Sequence, residues 1–386
     1  MTRSFVTEPF SALLTRRNYR QWSWLGCDWV AGEPQQDGAI DLLLRQGLPN
    51  VSRLTLVNCG CGAWLSATHS AQQLFAIHPF LEDHLALQIN VKEATKNTIS
   101  PLNQRVDSRM ADPDQLDLPP CDAVVFRIFR DMDWNDSWIQ AFCASLPAGI
   151  PLHILGLNDD GIRSLERHLS KKGFPIETEA IGCHARWLRT NTRPPAGIHS
   201  GEAPILQEVS TPLGSFPFWL PEGTFAAGHL DTGTALLLEH LGIQAGNSVW
   251  DFGCGAGIIA RVAVAGHAKF VYASDHASFA VRVAQRNLES CTKSTTVGLH
   301  FLGEGVPGKF SCILSNPPFH LEGRELRQLG KLWLEACKDH LEPGGEIRLV
   351  ANQFLPYGQF AMDLDLSADV IAVRQGFKVW RMTKAA

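Results

Sequence analysis

The chain has 386 residues, of which 45% are hydrophobic and 19% are charged, and its formal net charge is −5 at pH 7. A single hydrophobic core rarely grows beyond about 250–300 residues, so this length predicts two domains. The acidic balance excludes a globally basic nucleic-acid-binding protein, and any contact with RNA would have to use local basic patches.

The cysteines and the apolar segments predict a cytoplasmic protein without a metal site. The ten cysteines are scattered, with no CxxC pair and no Cys/His cluster at zinc spacing. We interpret them as buried, reduced thiols. The N-terminal "MTRSFVTEPF" lacks the apolar segment of a signal peptide, and prolines interrupt the longest uncharged stretch, residues 138–158. We therefore expect no membrane span.

In chain order, the first notable element is "LVNCGCGAWLSA", where a Gly-x-Gly turn follows an apolar run, as a cofactor-binding turn would. Asn58 stands where an acid is usual, and Trp64 stands where a glycine usually completes the turn. Further along, "SLPAGIPLHIL" and "ARWLRT" indicate later elements of the same half. The segment 189–204 is rich in Pro, Gly, Ser and Thr and indicates an inter-domain connection.

The second half alternates strands and helices. "NSVWDFGCGAGIIARVAVAG" predicts a strand, a glycine turn and a helix, and "KFVYASD" and "SFAVRVAQRNLES" predict the next strand and an amphipathic helix. "KFSCILSNPPFH" is followed by the helix "LRQLGKLWLEACKDHL", the strand "EIRLVANQF" and two β runs in "DVIAVRQGFKVWRM". This order predicts an α/β, mostly parallel, doubly wound sheet that ends in an antiparallel hairpin.

The two halves repeat each other. Asn58 aligns with Asp251 at a spacing of 193 residues, and "SLPAGIPLHIL" matches "HLEPGGEIRLV". The match predicts an internal duplication, with two tandem Rossmann-like domains. We expect the first domain at residues 1–190, a linker at 191–204 and the second domain at 205–386.

The glycine turn of the second half has the composition of a cofactor-binding turn. Gly253, Gly255 and Gly257 in "DFGCGAG" let the backbone turn sharply and approach a ligand without Cβ clashes. Asp251 precedes the turn, and Asp275 closes the next strand, where an acid accepts the ribose hydroxyls in dinucleotide-binding sheets. The spacing suits an adenosine-containing cofactor and by itself leaves open a nicotinamide cofactor or S-adenosylmethionine.

"SNPPFH" separates these two cofactors. Two consecutive prolines after a strand predict a stiff turn that aims the Asn316 side-chain oxygen into the site, with Phe319 offering an aromatic face. A nucleobase or glutamine amine is a poor nucleophile because its lone pair is delocalised. Two acceptors, the Asn316 side chain and the Pro317 carbonyl, would favour a nitrogen with its lone pair directed at a methyl group. We assign catalysis to Asn316, Pro317, Pro318 and Phe319.

These motifs resemble the class I methyltransferases that carry N-P-P-[FYW]. Together with "VANQFLPY", "LDTG" and "GFKVWR", they are similar to the bacterial ribosomal RNA guanine-N2 methyltransferases, and "GLNDDGIRSLERHL" and "IGCHARWLR" resemble the small-subunit branch. The resemblance implies tandem methyltransferase domains with a degenerate first copy, S-adenosylmethionine as cofactor and methylation of a guanine N2 in rRNA, with 16S favoured over 23S rRNA. We expect the cofactor-binding residues to be Asp251, Gly253, Cys254, Gly255, Gly257, Asp275, His276, Gly303, Glu304 and Asn316.

The first copy has changed at each chemical position. Asn58 stands for Asp251, Trp64 for Gly257, His78 for Asp275, and Arg127 for Asn316. The double proline is also absent from "VVFRIFRDMD". We therefore expect the first domain to keep the sheet but to serve a structural or RNA-recognition role.

Alternatives remain for the substrate and for the class of function. The same fold could methylate a guanine in 23S rRNA, an adenine N6, a protein glutamine or a small amine, although Phe319 and the duplicated sheet argue against glutamine. A non-catalytic RNA-binding assembly factor is the third reading, and the intact motif at 316–319 argues against it. The expected partner is ribosomal RNA or a ribosomal subunit, and a monomer is favoured. Phosphate contacts could come from basic runs in "TRRNYRQW", "RSLERHLSKKG" and "GRELRQLGK".

Overall fold

The computed structural model divides into two compact units, Met1–Glu202 and Ala203–Ala386. The boundary between them falls inside the segment 191–204 that the sequence predicts as a linker. The structure describes residues 21–24, 27–30, 38–60, 71–96, 105–194, 206–221, 230–291, 294–317 and 323–384.

The first unit contains nine described strands and four described helices. Its strands are β1 (Gln21–Trp24), β2 (Cys27–Val30), β3 (Arg53–Val57), β4 (Gln73–His78), β5 (Arg105–Met110), β6 (Ala123–Arg127), β7 (Pro151–Leu157), β8 (Glu177–Gly182) and β9 (Ala185–Asn191). Its helices are α1 (Gly38–Gln46), α2 (Leu81–Lys96), α3 (Met132–Ser145) and α4 (Ile162–Lys171), with a 3₁₀ turn at Pro113–Gln115.

The second unit repeats the plan in its described residues. Its strands are β10 (Leu206–Thr211), β11 (Gly214–Trp219), β12 (Ser248–Phe252), β13 (Phe270–Asp275), β14 (Thr295–Leu299), β15 (Phe310–Ser315), β16 (Leu341–Asn352), β17 (Leu366–Arg374) and β18 (Phe377–Lys384). Its helices are α5 (Thr232–Leu238), α6 (Ile258–Ala265), α7 (Ser278–Asn287), α8 (Gly323–Asp339) and α9 (Tyr357–Asp363), with a 3₁₀ turn at Glu289–Cys291.

Both units contain a seven-stranded sheet with the same strand order. The first sheet has the order β5-β4-β3-β6-β7-β9-β8, and the second has the order β14-β13-β12-β15-β16-β18-β17. The first five strands of each sheet run parallel, and the last two pair antiparallel with their neighbours. The prediction of two α/β domains with a parallel sheet and a C-terminal antiparallel hairpin is confirmed. Two separate hairpins, β1–β2 and β10–β11, lie outside these sheets.

The central strands are apolar because both of their faces are covered. In β6, the four residues 123–126 are all 0% exposed, as is usual in a parallel sheet with helices on both sides. In α4, the buried residues Ile162, Leu165 and Leu169 recur at helical spacing and form one apolar face. These patterns bury the sheet and leave the ends of the strands to carry polar residues.

The strand registers align the two copies residue by residue. Val57 at the end of β3 pairs with Ile77 and Phe126, and Phe252 at the end of β12 pairs with Ser274 and Ser315. The next N–H then donates to the neighbouring strand in both units, from Asn58 at 3.0 Å and from its second-unit counterpart, Gly253, at 2.8 Å. Both of these residues have a positive φ.

The alignment of Asn58 with Asp251 is therefore wrong by two residues. Leu56, not Asn58, holds the place of Asp251, and the spacing at this turn is 195 residues. The sequence comparison matched the repeated Gly-Cys-Gly letters, whereas the backbone matches the end of the strand. Trp64 lies outside the described residues, and this spacing no longer pairs it with Gly257.

The other two alignments agree with the registers. Ile77 corresponds to Ser274, so His78 is the last residue of β4, as Asp275 is the last residue of β13. Arg127 likewise corresponds to Asn316. In the part of the chain that the structure describes, no helix is long and apolar enough to cross a membrane.

Candidate active site

The glycine turn follows β12 and adopts a backbone that glycine accommodates best. Gly253, Gly255 and Gly257 have φ values of 76°, 52° and 80°, in the left-handed region where a Cβ is unfavourable. A Cβ at Gly253 would lie 3.0 Å from the ring of Trp333, whereas a Cβ at Gly255 would meet none of the described residues within 4 Å. The turn is thus packed against the protein at its start and open in its middle.

Asp275 braces the turn from the end of β13. Its Oδ2 accepts a hydrogen bond from the Gly255 N–H at 2.9 Å, and its Oδ1 accepts one from the Ala277 N–H at 3.0 Å. Each carboxylate oxygen can accept more than one hydrogen bond, so both keep capacity for a ligand hydroxyl. The neighbouring His276 lies with its Nε2 4.0 Å from Asp275 Oδ1 and stacks on Phe301.

Asp251 is a buried carboxyl group at the end of β12. It is 0% exposed, and its Oδ2 accepts the Ala260 N–H at 2.9 Å. Its Oδ1 is buried without a hydrogen-bond partner among the described residues. Burial raises the pKa of Asp251 to about 7, against the opposing effect of the Ala260 hydrogen bond, and the nearby Asp275 adds to the rise. A cationic or hydrogen-donating ligand would favour the ionised form.

A stack of aromatic rings fixes the strand ends beneath the turn. Phe252 lies between Trp250, at a centroid distance of 4.3 Å, and Trp333 of α8, at 3.8 Å. The Ser315 hydroxyl donates to the Phe252 carbonyl at 2.7 Å and accepts from Trp333 Nε1 at 2.9 Å. These contacts lock the ends of β12 and β15 side by side, which brings Gly253 and Asn316 to neighbouring positions.

Asn316 is oriented by the start of α5. Its Nδ2 donates to Asp231 Oδ2 at 3.0 Å and to Thr234 Oγ1 at 2.9 Å. Among the described residues no group donates to its Oδ1, and the side chain is half-buried. Pro317 is buried, whereas Pro318 and Phe319 of the predicted catalytic turn lie outside the described residues. Oδ1 is the atom that is predicted from the sequence to accept a hydrogen bond from the acceptor amine.

Three further predicted cofactor residues have local explanations. A Cβ at Gly303 would lie 3.0 Å from Trp250, so packing alone accounts for the glycine. The Glu304 carbonyl accepts from His300 Nδ1 at 2.8 Å within the turn after β14. The Cys254 thiol is buried, burial raises its pKa, and its N–H donates to Ser274. For Cys254, the side chain therefore points to packing rather than to ligand chemistry.

Residues that were not predicted from the sequence hold the predicted ones in place. Asp231 and Thr234 orient Asn316, and Asn287 donates to the carbonyls of Trp219 and Ala256. Asn287 thereby ties the end of β11 to the glycine turn. The "LDTG" pattern contains an Asp directly before a helix, which is an N-cap signal that could have located Asp231.

The first unit replaces the open site with internal bonds. The Nδ2 of Asn58 donates to the Arg127 carbonyl at 2.9 Å, and Asp160 pairs with Arg130 at 3.0 Å and with Arg127 at 3.7 Å. His78 is 1% exposed, neither of its ring nitrogens has a hydrogen-bond partner in the described ranges, and burial lowers its pKa to about 3. Where the second unit has the carboxyl groups of Asp251 and Asp275, the first unit thus has the apolar Leu56 and a neutral His78.

The predicted basic runs are only partly described. Arg163 and Arg167 are exposed on α4 and bond to Asn158, Ser164 and the helix backbone. Lys172 instead pairs with Asp136 at 2.6 Å. The run at 16–20 and the side chains of 324 and 327 lie outside the described residues. No group of His, Cys, Asp or Glu in the described ranges could hold a metal ion.

Comparison with known proteins gives one family-model match, to the methyltransferase small domain, over residues 215–381. The ribosomal RNA small subunit methyltransferase C of Pseudomonas entomophila is 32% identical over 274 residues, which cover 68% of this chain and 79% of that protein. The enzyme of the same name from Idiomarina loihiensis is 30% identical over 269 residues, covering 68% and 78%.

A solved structure extends the likeness to both units. The T. thermophilus 16S rRNA N2 G1207 methyltransferase, in complex with AdoMet and guanosine, has a TM-score of 0.70 and covers 93% of this chain and 95% of its own. The two sequences are 19% identical, so this likeness shows the fold.

The sheet order, the glycine turn and the matched domain define a methyltransferase with a Rossmann-like fold. Within that class, the chain belongs to the ribosomal RNA small subunit methyltransferase C family.

Proposed function

We propose that this protein transfers a methyl group from S-adenosylmethionine to the exocyclic N2 of a guanine in 16S rRNA, in the cytoplasm. The observation that carries the proposal is Asn316, whose Nδ2 donates to Asp231 and Thr234 and whose Oδ1 accepts no hydrogen bond from the described residues. We further propose that residues 205–386 carry the reaction and that the first domain serves structure or RNA recognition.

The residues at the strand ends fit S-adenosylmethionine. Its sulfonium and ammonium groups are cationic, and this edge of the sheet presents the carboxyl groups of Asp251 and Asp275. Asp251 Oδ1 has no hydrogen-bond partner in the part of the chain that the structure describes. The space in front of Gly255 allows a ligand to approach the backbone. When bound, the cofactor supplies a methyl group on a positively charged sulfur. The residues proposed to hold it are Asp251, Gly253, Cys254, Gly255, Gly257, Asp275, His276, Gly303, Glu304 and Asn316.

The catalytic turn is proposed to act by orientation. Guanine N2 carries two hydrogens and a lone pair that is delocalised into the ring. The Asn316 Oδ1 and the Pro317 carbonyl would each accept one N–H, which directs the lone pair out of the ring plane. Phe319, after Pro318, is proposed to stack on the base. No strong general base is needed, because the nitrogen becomes acidic once it gains the methyl group, and water then accepts the proton.

The substrate class is supported by the relatives. Two curated relatives at 30–32% identity are named ribosomal RNA small subunit methyltransferase C. The structurally similar T. thermophilus protein is described as an N2 methyltransferase of 16S rRNA G1207 and was solved with guanosine. A stacked guanine would have to leave the helix, at a cost of about a few kcal/mol.

Transfer from radiolabelled S-adenosylmethionine tests the proposal. The acceptors are naked 16S and 23S rRNA, unmodified small and large subunits, a glutamine-containing release-factor-type protein and a small amine. We expect label on a guanine of 16S rRNA or the small subunit, identified as N2-methylguanine after digestion. Label on adenine, 23S rRNA, protein or amine alone would contradict the proposal, as would cofactor binding without transfer.

The Asn316→Ala variant tests the assigned residue. We expect it to lose transfer while its calorimetric affinity for the cofactor falls by only about a few-fold, because the amide is proposed to act mainly on the base and only secondarily on the cofactor. Gln359→Ala, which removes an exposed side-chain amide from α9, is the matched control. Full activity of Asn316→Ala would overturn the assignment.

A further inference from the structure

We propose that Asp231 is a positioning residue of the base site: its carboxylate fixes the Asn316 amide so that Oδ1, and not Nδ2, faces the acceptor amine. The inference rests on the function proposed above for Asn316. It assigns a role to a residue that lies 85 positions from Asn316 in the sequence and that would act on the base through Asn316.

The contact is a closed network of four groups at the start of α5. Asp231 Oδ2 accepts from Asn316 Nδ2 at 3.0 Å, from the Thr234 N–H at 2.9 Å and from the Thr234 hydroxyl at 3.4 Å. Thr234 Oγ1 in turn accepts from Asn316 Nδ2 at 2.9 Å. Both hydrogens of the Asn316 amide are therefore used, and its oxygen is the remaining polar atom.

A carboxylate selects one of the two orientations of an amide. The oxygen and nitrogen ends of an asparagine side chain have nearly the same shape, and only hydrogen-bond partners distinguish them. An ionised Asp231 can only accept, so a rotated Asn316 would set two acceptor oxygens about 3 Å apart and lose the bond. The rotated form would also present N–H groups to an amine that is itself a donor. Asp231 thus removes the unproductive orientation.

The charge of Asp231 also improves the acceptor. A hydrogen bond to an ionised group is stronger than one between neutral groups, and hydrogen bonds in a chain polarise one another. Donation from Nδ2 to the carboxylate shifts electron density towards Oδ1. Oδ1 then accepts more strongly from the amine, whose hydrogens become more positive as nitrogen gains the methyl group.

The competing explanation is that Asp231 only caps α5, since its carboxylate accepts the Thr234 N–H. Asp231→Ser separates the two roles, because serine is a good N-cap but is too short to keep the bond to Asn316. We expect a fall in kcat of about tenfold or more, with KM for RNA and cofactor affinity changed by about twofold or less. The melting temperature should stay near that of the wild type.

A capping role alone predicts that Asp231→Ser keeps the wild-type kcat, and that outcome would overturn the inference. Glu239→Gln is the matched control, since it removes a carboxylate from the other end of the same helix, where it pairs with Arg374. Thr234→Val should lower kcat by less than Asp231→Ser, because Asp231 still holds the amide, and Thr234→Ser, which keeps the hydroxyl, should lower kcat by less than Thr234→Val.

A substrate-independent measurement keeps this inference separate from the proposed function. The side-chain amide signals of Asn316, assigned in an asparagine-labelled sample by their loss in Asn316→Ala, report on both Nδ2 hydrogens. We expect Asp231→Ser to shift them strongly and Glu239→Gln to leave them in place. Unchanged signals in Asp231→Ser would overturn the positioning role. If the wild type methylates no guanine while the shift occurs, the proposed function fails and the Asp231–Asn316 contact stands.

Discussion

The carboxylate of Asp275 accepts the backbone N–H of Gly255 at 2.9 Å, which ties the end of β13 to the turn after β12. Asp275→Ala removes this bond and the one from Ala277, so the turn loses the contacts that hold it and the proposed cofactor site loses two acceptor oxygens. A charge-assisted hydrogen bond contributes about 1.5–3 kcal/mol, and we expect cofactor affinity to fall by about 10- to 100-fold in calorimetry.

Asp365→Asn is the control for that measurement. Asp365 is an exposed carboxylate with a positive φ, which asparagine also tolerates. An unchanged affinity in Asp275→Ala would show that the brace does not bear on cofactor binding.

Gly255→Ala should weaken cofactor binding without a comparable effect on folding. The added Cβ meets no atom of the described residues within 4 Å, so it would project into the open part of the turn. Placing alanine at this left-handed φ costs about 1–2 kcal/mol of stability, with or without a ligand. Gly308→Ala carries the same strain at φ 77° with equally open surroundings but lies away from the turn. Equal cofactor affinities of the two variants would contradict the placement of the ligand at Gly255.

Asp251 should make the cofactor-free protein less stable as the pH rises. Its folded pKa of about 7 lies above its unfolded value, so the native state binds the extra proton between these values. The free energy of unfolding should therefore fall by up to about 1.4 kcal/mol per pH unit towards pH 7, relative to Asp251→Asn. Urea unfolding of both proteins from about pH 5.5 to 8.5 measures the difference. Parallel curves would show that Asp251 is ionised throughout.

His78 should make the protein more stable as the pH rises, which is opposite to the effect of Asp251. Burial lowers its folded pKa to about 3, so its contribution is present above the unfolded pKa and is lost as the pH falls below about 6.5. His78→Leu removes two buried nitrogens without partners and should stabilise the first unit most at acid pH. Hydrogen exchange of β4 at about pH 5 and pH 7.5 measures this. A variant that is destabilised equally at both pH values would contradict it.

The sequence predicts the fold because its signal is strong and repeated. Apolar runs of four to seven residues alternate with amphipathic helices twice, and the duplicated order leaves one sheet topology for both halves. The register of the first glycine turn could not be predicted in the same way. The letters of "NCGCGAW" and "DFGCGAG" match best at 193 residues, whereas the ends of β3 and β12 match at 195. Sequence identity aligns residues of the same type, whereas the hydrogen bonds between strands determine which residues are structurally equivalent.

The candidate site residues that could be predicted from the sequence are those that lie within a recognisable local motif. Asn316 beside two prolines and Asp275 at a strand end follow from their neighbours in sequence. Asp231 could not be assigned in the same way, because its contact with Asn316 joins positions 85 residues apart and depends on how α5 packs against β15. Trp333 was equally hidden, since its stacking on Phe252 arises only when α8 folds back over the sheet.

A comparison of the equivalent strand ends in the two units distinguishes residues required by the backbone conformation from residues available for a ligand. Gly60 and Gly255 both have a positive φ, although the first sheet has lost the acidic groups, so glycine at this position serves the chain reversal itself. Leu56 and Asp251 occupy the same place in sheets of the same order, so the carboxyl group is dispensable for folding. The first unit therefore shows that this sheet forms with an apolar residue at the place of Asp251, which is consistent with the proposal that the carboxyl group serves a ligand.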